Sequence, residues 1–291
     1  MKLQFRALAL AAATLAASGA HAAIELATSG TAGNSSLLFV AVDSNSNIAL
    51  TVDLGLSMSY FTNSTTWVTE LQSASKTWNF ATNTTSESGI TGISWSAAYD
   101  TFKATQAGND FTWGVIAADA VTGSTVNASN AIAGRGWLAT GNATQAEMLN
   151  ASTSGPTGNG LGNFGLFAAS VNNFGTHLGS ANGAATTDAS NGDAWLPNRM
   201  GGNFGGQQTW NYLLANGATS TFQWQQQVVA NPVVIQFGLS NATDSLAATP
   251  VFWTFDIATD TLVLAVPEPS TYAMLVAGLA AVGFMARRRK A

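Results

Sequence analysis

Ser36-Leu37-Leu38-Phe39-Val40-Ala41-Val42-Asp43-Ser44-Asn45-Ser46-Asn47-Ile48-Ala49-Leu50-Thr51-Val52-Asp53-Leu54-Gly55-Leu56 is the stretch that decides the fold. Two apolar-rich runs, 36–42 and 48–56, flank five side chains, Asp43 to Asn47, of the kind that bond their own backbone in turns. That arrangement predicts a β-hairpin. The second run alternates in part, with Ile48, Leu50, Val52 and Leu54 set against Ala49, Thr51, Asp53 and Gly55. A strand with one buried face reads this way.

Similar runs recur along the chain. Strands are predicted at Thr65–Leu71, Lys76–Ala81, Gly92–Tyr99, Phe111–Ala118, Gly136–Thr140, Thr219–Val229, Pro232–Leu239, Val251–Asp256 and Thr261–Val266. Helical patterns are short: Asn142–Asn150, and Gln207–Ala215 before the stop Asn216-Gly217. Many short strands with Ser/Thr/Asn/Gly turns between them point to an all-β domain, a β-sandwich or jelly roll. The region 152–206 stands apart because it is rich in Gly, Asn and Ser and repeats Asn-Phe-Gly at 163–165, 173–175 and 203–205. It reads as a long loop with aromatic pins, or as a self-associating or ligand-facing surface.

Both ends of the 291 residues look like addresses, which leaves 23–265 as the folding domain. Met1 to Ala22 has basic Lys2 and Arg6, an apolar run from Ala7 to Ala17, and small residues Ala20 and Ala22 at an exit site. This is the plan of a secretory signal, cleaved after Ala22, and makes the Sec export machinery the first expected partner. At the other end, Val266-Pro267-Glu268-Pro269 precedes an uncharged apolar stretch over 270–286 and then Arg287-Arg288-Arg289-Lys290. The stretch is near the short limit of about 17 residues for a membrane-spanning helix. The four cations place its far end on the cytoplasmic side. The prolines separate the last strand from this helix, since neither has an N–H to donate.

Composition excludes several function classes. Charged residues make up 9% of the chain, against a usual share of about 25%. Within the domain Lys76, Lys103, Arg135 and Arg199 face fourteen carboxylates, a net charge of -10. No basic patch is available for nucleic acid. With no cysteine, disulfides, thiolate metal sites and cysteine nucleophiles are all excluded. His177 is the one histidine left after signal removal. It reads as a solvated loop residue, without a nucleophile elbow to accompany it.

Oxygen-rich loops at Asp43–Asn47 and Asp188–Asp193 suit a turn, or a calcium ion. Ile48 and Leu54 stand where an EF-hand needs Gly and Glu, and no metal ligand is assigned. No cofactor is expected. Nine Trp residues lie at 67, 78, 95, 113, 137, 195, 210, 224 and 253. Seven fall in predicted strands and read as core. Trp195 is the best candidate for an exposed, sugar-stacking ring. Fourteen carboxylates suffice for a glycosidase pair, but their spacing selects none.

The order Pro-Glu-Pro, short apolar helix and terminal basic cluster resembles the PEP-CTERM sorting signal of Gram-negative bacteria. The resemblance covers about the last 25 residues. It implies recognition by an exosortase, a membrane-embedded cysteine transpeptidase-like enzyme that cuts near Pro267-Glu268-Pro269. It also implies passage through the inner membrane and an association with exopolysaccharide and biofilm production. The hairpin with Asp53-Leu54-Gly55 and the stretch Trp113–Asp119 also look like the bodies of other PEP-CTERM proteins, with no known activity attached. The expected function is that of an exported, non-catalytic protein of the cell surface or biofilm matrix. A secreted carbohydrate-binding module, or more remotely a glycosidase, is the alternative.

Overall fold

The computed structural model describes residues 24–25, 35–62, 75–118, 136–141, 161–200, 212–226, 234–236, 252–265 and 278–279. Its first half holds β1 (Ser36–Asp43), β2 (Ile48–Ser57), α1 (Ser59–Thr62), β3 (Lys76–Asn79), β4 (Thr84–Thr85), β5 (Ile93–Ser94), α2 (Ser96–Thr105), β6 (Thr112–Ala118) and β7 (Gly136–Gly141). Then come α3 (Leu161–Val171), β8 (Asn182–Thr187), α4 (Leu196–Arg199), β9 (Leu214–Ala215), β10 (Thr219–Gln226), β11 (Val234–Gln236), β12 (Phe252–Asp256) and β13 (Thr261–Ala265). Two 3₁₀ turns, Gly175–Leu178 and Ala189–Ala194, flank β8.

The expected hairpin is present, with β1 and β2 antiparallel and Asp43 paired with Ile48. Asp43 builds its turn: Oδ1 accepts from Asn45 N at 2.8 Å and Ser46 N at 3.1 Å. Asn47 closes the turn at φ 53°, a left-handed conformation that Asn tolerates better than most residues.

The domain is mostly β, as the sequence indicates, but it is not two facing sheets. The thirteen described strands join one sheet in the order β4-β3-β13-β12-β10-β7-β6-β1-β2-β8-β5, with β11 beside β10 and β9 beside β6. The sheet curls until it nearly closes. Phe39 of β1 lies 4.8 Å, ring to ring, from both Phe80 and Phe255, which belong to the far side of the strand order. Trp78 on β3 donates its indole N–H to the Leu54 carbonyl of β2 at 3.1 Å. Trp95 does the same for the Asp53 carbonyl at 3.0 Å. These carbonyls lie just beyond Val52, where the register of β2 with β8 ends. Among the described residues, indole donors rather than a further strand bridge the gap.

Both faces of the central strands are covered, so β2 is not the half-buried strand its partial alternation predicts. Leu37, Phe39 and Ala41 enter an inner core with Trp78, Trp113 and Trp253. Leu38, Val40 and Val42 enter an outer core with Phe164, Phe167, Val171 and Leu196. The unbroken apolar run of β1 is what two buried faces require. The outer cover comes from the region expected to be a loop. Its Phe164, Phe167, Ala168 and Val171 fall at helical spacing in α3 and enter that core, and burying each Phe stabilises the fold by roughly 2–3 kcal/mol.

Other expectations are corrected locally. Gly92–Tyr99 is not one strand: β5 is two residues long and α2 follows, because Ala98, Tyr99 and Phe102 share a helical face buried against the inner core. No side chain of α2's own entry caps it. Asn83 Oδ1 accepts instead from Trp95 N at 2.7 Å and Ser96 N at 2.8 Å, satisfying donors a helix start leaves free. Residues 212–215 are not helical, since Leu214 and Ala215 pair with Trp113 and Thr112 of β6. The predicted strand Thr65–Leu71 and helix Asn142–Asn150 lie outside the described residues.

Candidate functional site

The register of the sheet brings the two ends of the domain to one pole. Ser36 pairs with Ser57, and Leu38, the next paired residue of β1, sits opposite Ile116 of β6. Ala118 pairs with Trp137, Gly136 with Gln226, Thr221 with Phe252 and Phe252 with Ala265. The start of β1 and the end of β13 therefore lie on the same side. Glu25 joins them there: its carbonyl accepts from Ser36 N at 3.0 Å, and its N–H donates to Ser36 Oγ at 3.0 Å. Ile24 is held from the other side by Asn172 Oδ1 at 2.7 Å.

β13 ends as an internal strand, Leu264 being paired with both Trp253 and Lys76. Ala265 is its last residue, and the expected sorting residues begin two positions later. Pro267, Glu268, Pro269, Arg287, Arg288, Arg289 and Lys290 lie outside the described residues, as do Ala20 and Ala22. So does the expected span 270–286, apart from the helical pair Gly278–Leu279. Among the described residues no helix is long and apolar enough to cross a membrane.

The same pole carries a cleft of about 350 Å³, lined by Glu25, Ser36, Asp53, Ser57, Thr91 and Asn182 among others. Asp53 is 3% exposed, and burial pushes its carboxyl up to about 7. The Gly55 N–H, donating to Oδ1 at 2.9 Å, and the Ser36 hydroxyl oppose that shift, while the charge of Glu25 adds to it. Desolvation dominates because a carboxylate loses more in leaving water than two donors return. Gly55 sits at φ 74°, and a Cβ there would come within 2.5 Å of Ile90 Cγ2. Only glycine lets β2 turn past the wall of the cleft.

Two residues expected at the surface are buried. His177 is 1% exposed in the 3₁₀ turn over β8, not solvated. Its backbone lies so close to Gly183 that a Cβ on Gly183 would meet His177 N at 2.6 Å. Among the described residues neither ring nitrogen has a hydrogen-bond partner, nor does Thr51 Oγ1. Burial holds the imidazole down at about 4, partly offset by the neighbouring Thr51 backbone. Trp195 is 8% exposed and packs in the outer core, so it offers no sugar-stacking face. Trp78, Trp95, Trp113, Trp137 and Trp253 are fully buried, which is where the strand pattern put them. Trp67 and Trp210 lie outside the described residues.

The two oxygen-rich loops meet at the opposite pole, where Ser46, Asn47, Asp188 and Asn191 line a second groove with threonines of α2 and β8. Their carboxylates serve the backbone. Burial raises Asp43, but the N–H of Ala107, at 2.8 Å, and those of the turn outweigh it and hold the group low. Asp188 accepts from Ser190 N at 2.8 Å and caps the 3₁₀ turn with Asn191; its carboxyl is lowered by the Ser190 hydroxyl. Asp193 forms a two-pronged pair with Arg199, both contacts at 2.7 Å. Among the described residues no group of three or more His, Asp or Glu side chains is placed to hold a metal ion.

A β-domain whose last described strand ends at Ala265, followed in the sequence by an apolar tail closed by four cations, has the plan of an exported protein that carries its own sorting signal. Residues 265–290 match the model of the PEP-CTERM protein-sorting motif. The motif supports sorting by an exosortase and implies export with a membrane-anchored signal. No curated protein and no solved structure matches the chain.

Proposed function

We propose that the chain is a non-catalytic component of the cell surface or biofilm matrix of a Gram-negative bacterium, delivered there by exosortase processing of its tail. The observation that carries this reading is the junction at Ala265, where the last strand ends and the matched sorting motif starts. A folded cargo and a separate address meet there. The domain's few charges, its large aromatics buried in two cores and its pinned turns fit a durable scaffold. Residues 1–22 are its export signal, and 270–286 hold it in the inner membrane until processing.

Deleting Val266–Ala291 tests the division. The truncated chain should be recovered soluble from the periplasm with the tryptophan fluorescence of a folded core. An aggregated or protease-sensitive product would overturn it.

One observation favours a second reading, a domain that cleaves glycans. Glu25 and Asp53 line one cleft, and Asp53 keeps its proton to about pH 7, as the acid of a glycosidase pair does. Against it, the Asp53 carboxyl is committed to Gly55 and Ser36. New reducing ends released from bacterial exopolysaccharide by the wild type, and lost in Asp53→Asn, would establish this second reading and sink the first.

A further inference from the structure

We infer that the pole bearing Glu25 and Ala265 faces the membrane and touches the sorting peptidase during processing, while the pole of the β1–β2 and β12–β13 turns faces outward. This rests on the reading of the tail as an exosortase signal.

Chain length limits how far the enzyme can stand from the sheet. Ala265 is still paired with Phe252, so no spacer separates the folded sheet from the processed segment. From Ala265 to Pro269 an extended chain spans at most about 14 Å. A membrane-embedded enzyme that acts on 267–269 therefore works against the pole itself, with Thr91 and Ser57 of the cleft rim on the same side as the strand end. The other end of the domain agrees. Glu25 is bonded to Ser36 at this pole, three residues after the expected signal cleavage site, so a chain not yet cleaved is tethered at both ends from one face. A domain with its ends at opposite poles would have to lie on its side. The far pole is closed by tight turns in which Asn47 and Asp260 take positive φ. Lys103 ties α2 to Asp260 there.

The experiment uses the full chain in a host that carries an exosortase, with a photo-crosslinking amino acid placed singly at exposed Thr91, or at exposed Ser44 or Thr259 of the far turns. Removal of the tail is followed in parallel as a drop in size. The expected result is a crosslink to the exosortase from Thr91 at least fivefold stronger than from Ser44 or Thr259. A linker of twelve Gly/Ser residues inserted after Ala265 should abolish it while the tail is still removed. Equal crosslinking from both poles, or none from Thr91 while the tail is removed, overturns the inference alone. A tail that is never removed overturns the sorting reading, and this inference falls with it.

Discussion

Asp53→Asn should uncover an acid sensitivity that the wild-type domain conceals. His177 falls from an ordinary 6.5 to about 4 on folding. The folded state resists the proton, so its stability is complete above pH 6.5 and declines as the pH falls toward 4. At 1.36 kcal/mol per unit, the loss is roughly 3 kcal/mol. Asp53 moves the other way, from 3.8 up to about 7. There the folded state holds the extra proton, so stability declines as the pH rises from 3.8 to 7, by about 4 kcal/mol in all. Between pH 4 and 6.5 the two slopes are opposite and nearly equal, and their sum is close to flat. Asparagine at 53 does not titrate and can still accept from Gly55. The variant should gain roughly 4 kcal/mol over wild type at pH 8 and lose about 3 kcal/mol between pH 6.5 and 4. Urea midpoints of residues 23–265, read by tryptophan fluorescence at half-unit pH intervals, measure both. A variant as flat as wild type below pH 6.5, or no gain at pH 8, refutes the reasoning.

Gly183→Ala should destabilise the domain by about 1–3 kcal/mol in urea titration, because its Cβ would meet backbone atoms of His177 at 2.6 and 2.8 Å and push the 3₁₀ turn off β8. Lys76→Ala should cost roughly 3 kcal/mol at pH 7, since Glu87, whose side chain is 7% exposed, loses its partner at 2.7 Å; the double variant Lys76→Met, Glu87→Leu should recover most of that loss. Trp78→Phe removes the indole N–H, stranding the Leu54 carbonyl, and leaves a smaller ring in a fully buried site; at least about 1–3 kcal/mol should disappear from the thermal or urea stability. Trp195→Ala should lower stability by about 3–5 kcal/mol and leave any glycan retention on affinity gels unchanged, because the ring is buried.

Much of the strand layout is legible in the sequence because alternation and turn chemistry act between neighbours. Asp43 to Asn47 encode their own turn, and Lys76, Thr112, Gly136, Thr219, Phe252 and Thr261 begin strands close to the expected positions. Helices were harder to see. Ala98, Tyr99 and Phe102 carry a helical spacing, as do Phe164, Phe167, Ala168 and Val171, but Gly, Ser and Asn around them have low helix propensity and mask it. Packing on the sheet supplies what propensity lacks. The continuous apolar run of β1 was a usable sign of a sheet covered on both faces.

By itself the sequence determined the address. A sorting signal is read by its order of residue types along the chain, so Pro267-Glu268-Pro269, the apolar stretch and the four cations need no tertiary fold to be recognised. Only the tertiary structure decided the environment of Asp53 and His177, the burial of Trp195, and the meeting of Glu25 with the end of β13 at one pole. Each depends on contacts between residues far apart in the chain, such as Asn172 with Ile24, 148 positions away. Solvation is set by what packs around a group, and no local pattern records which distant segment will arrive there.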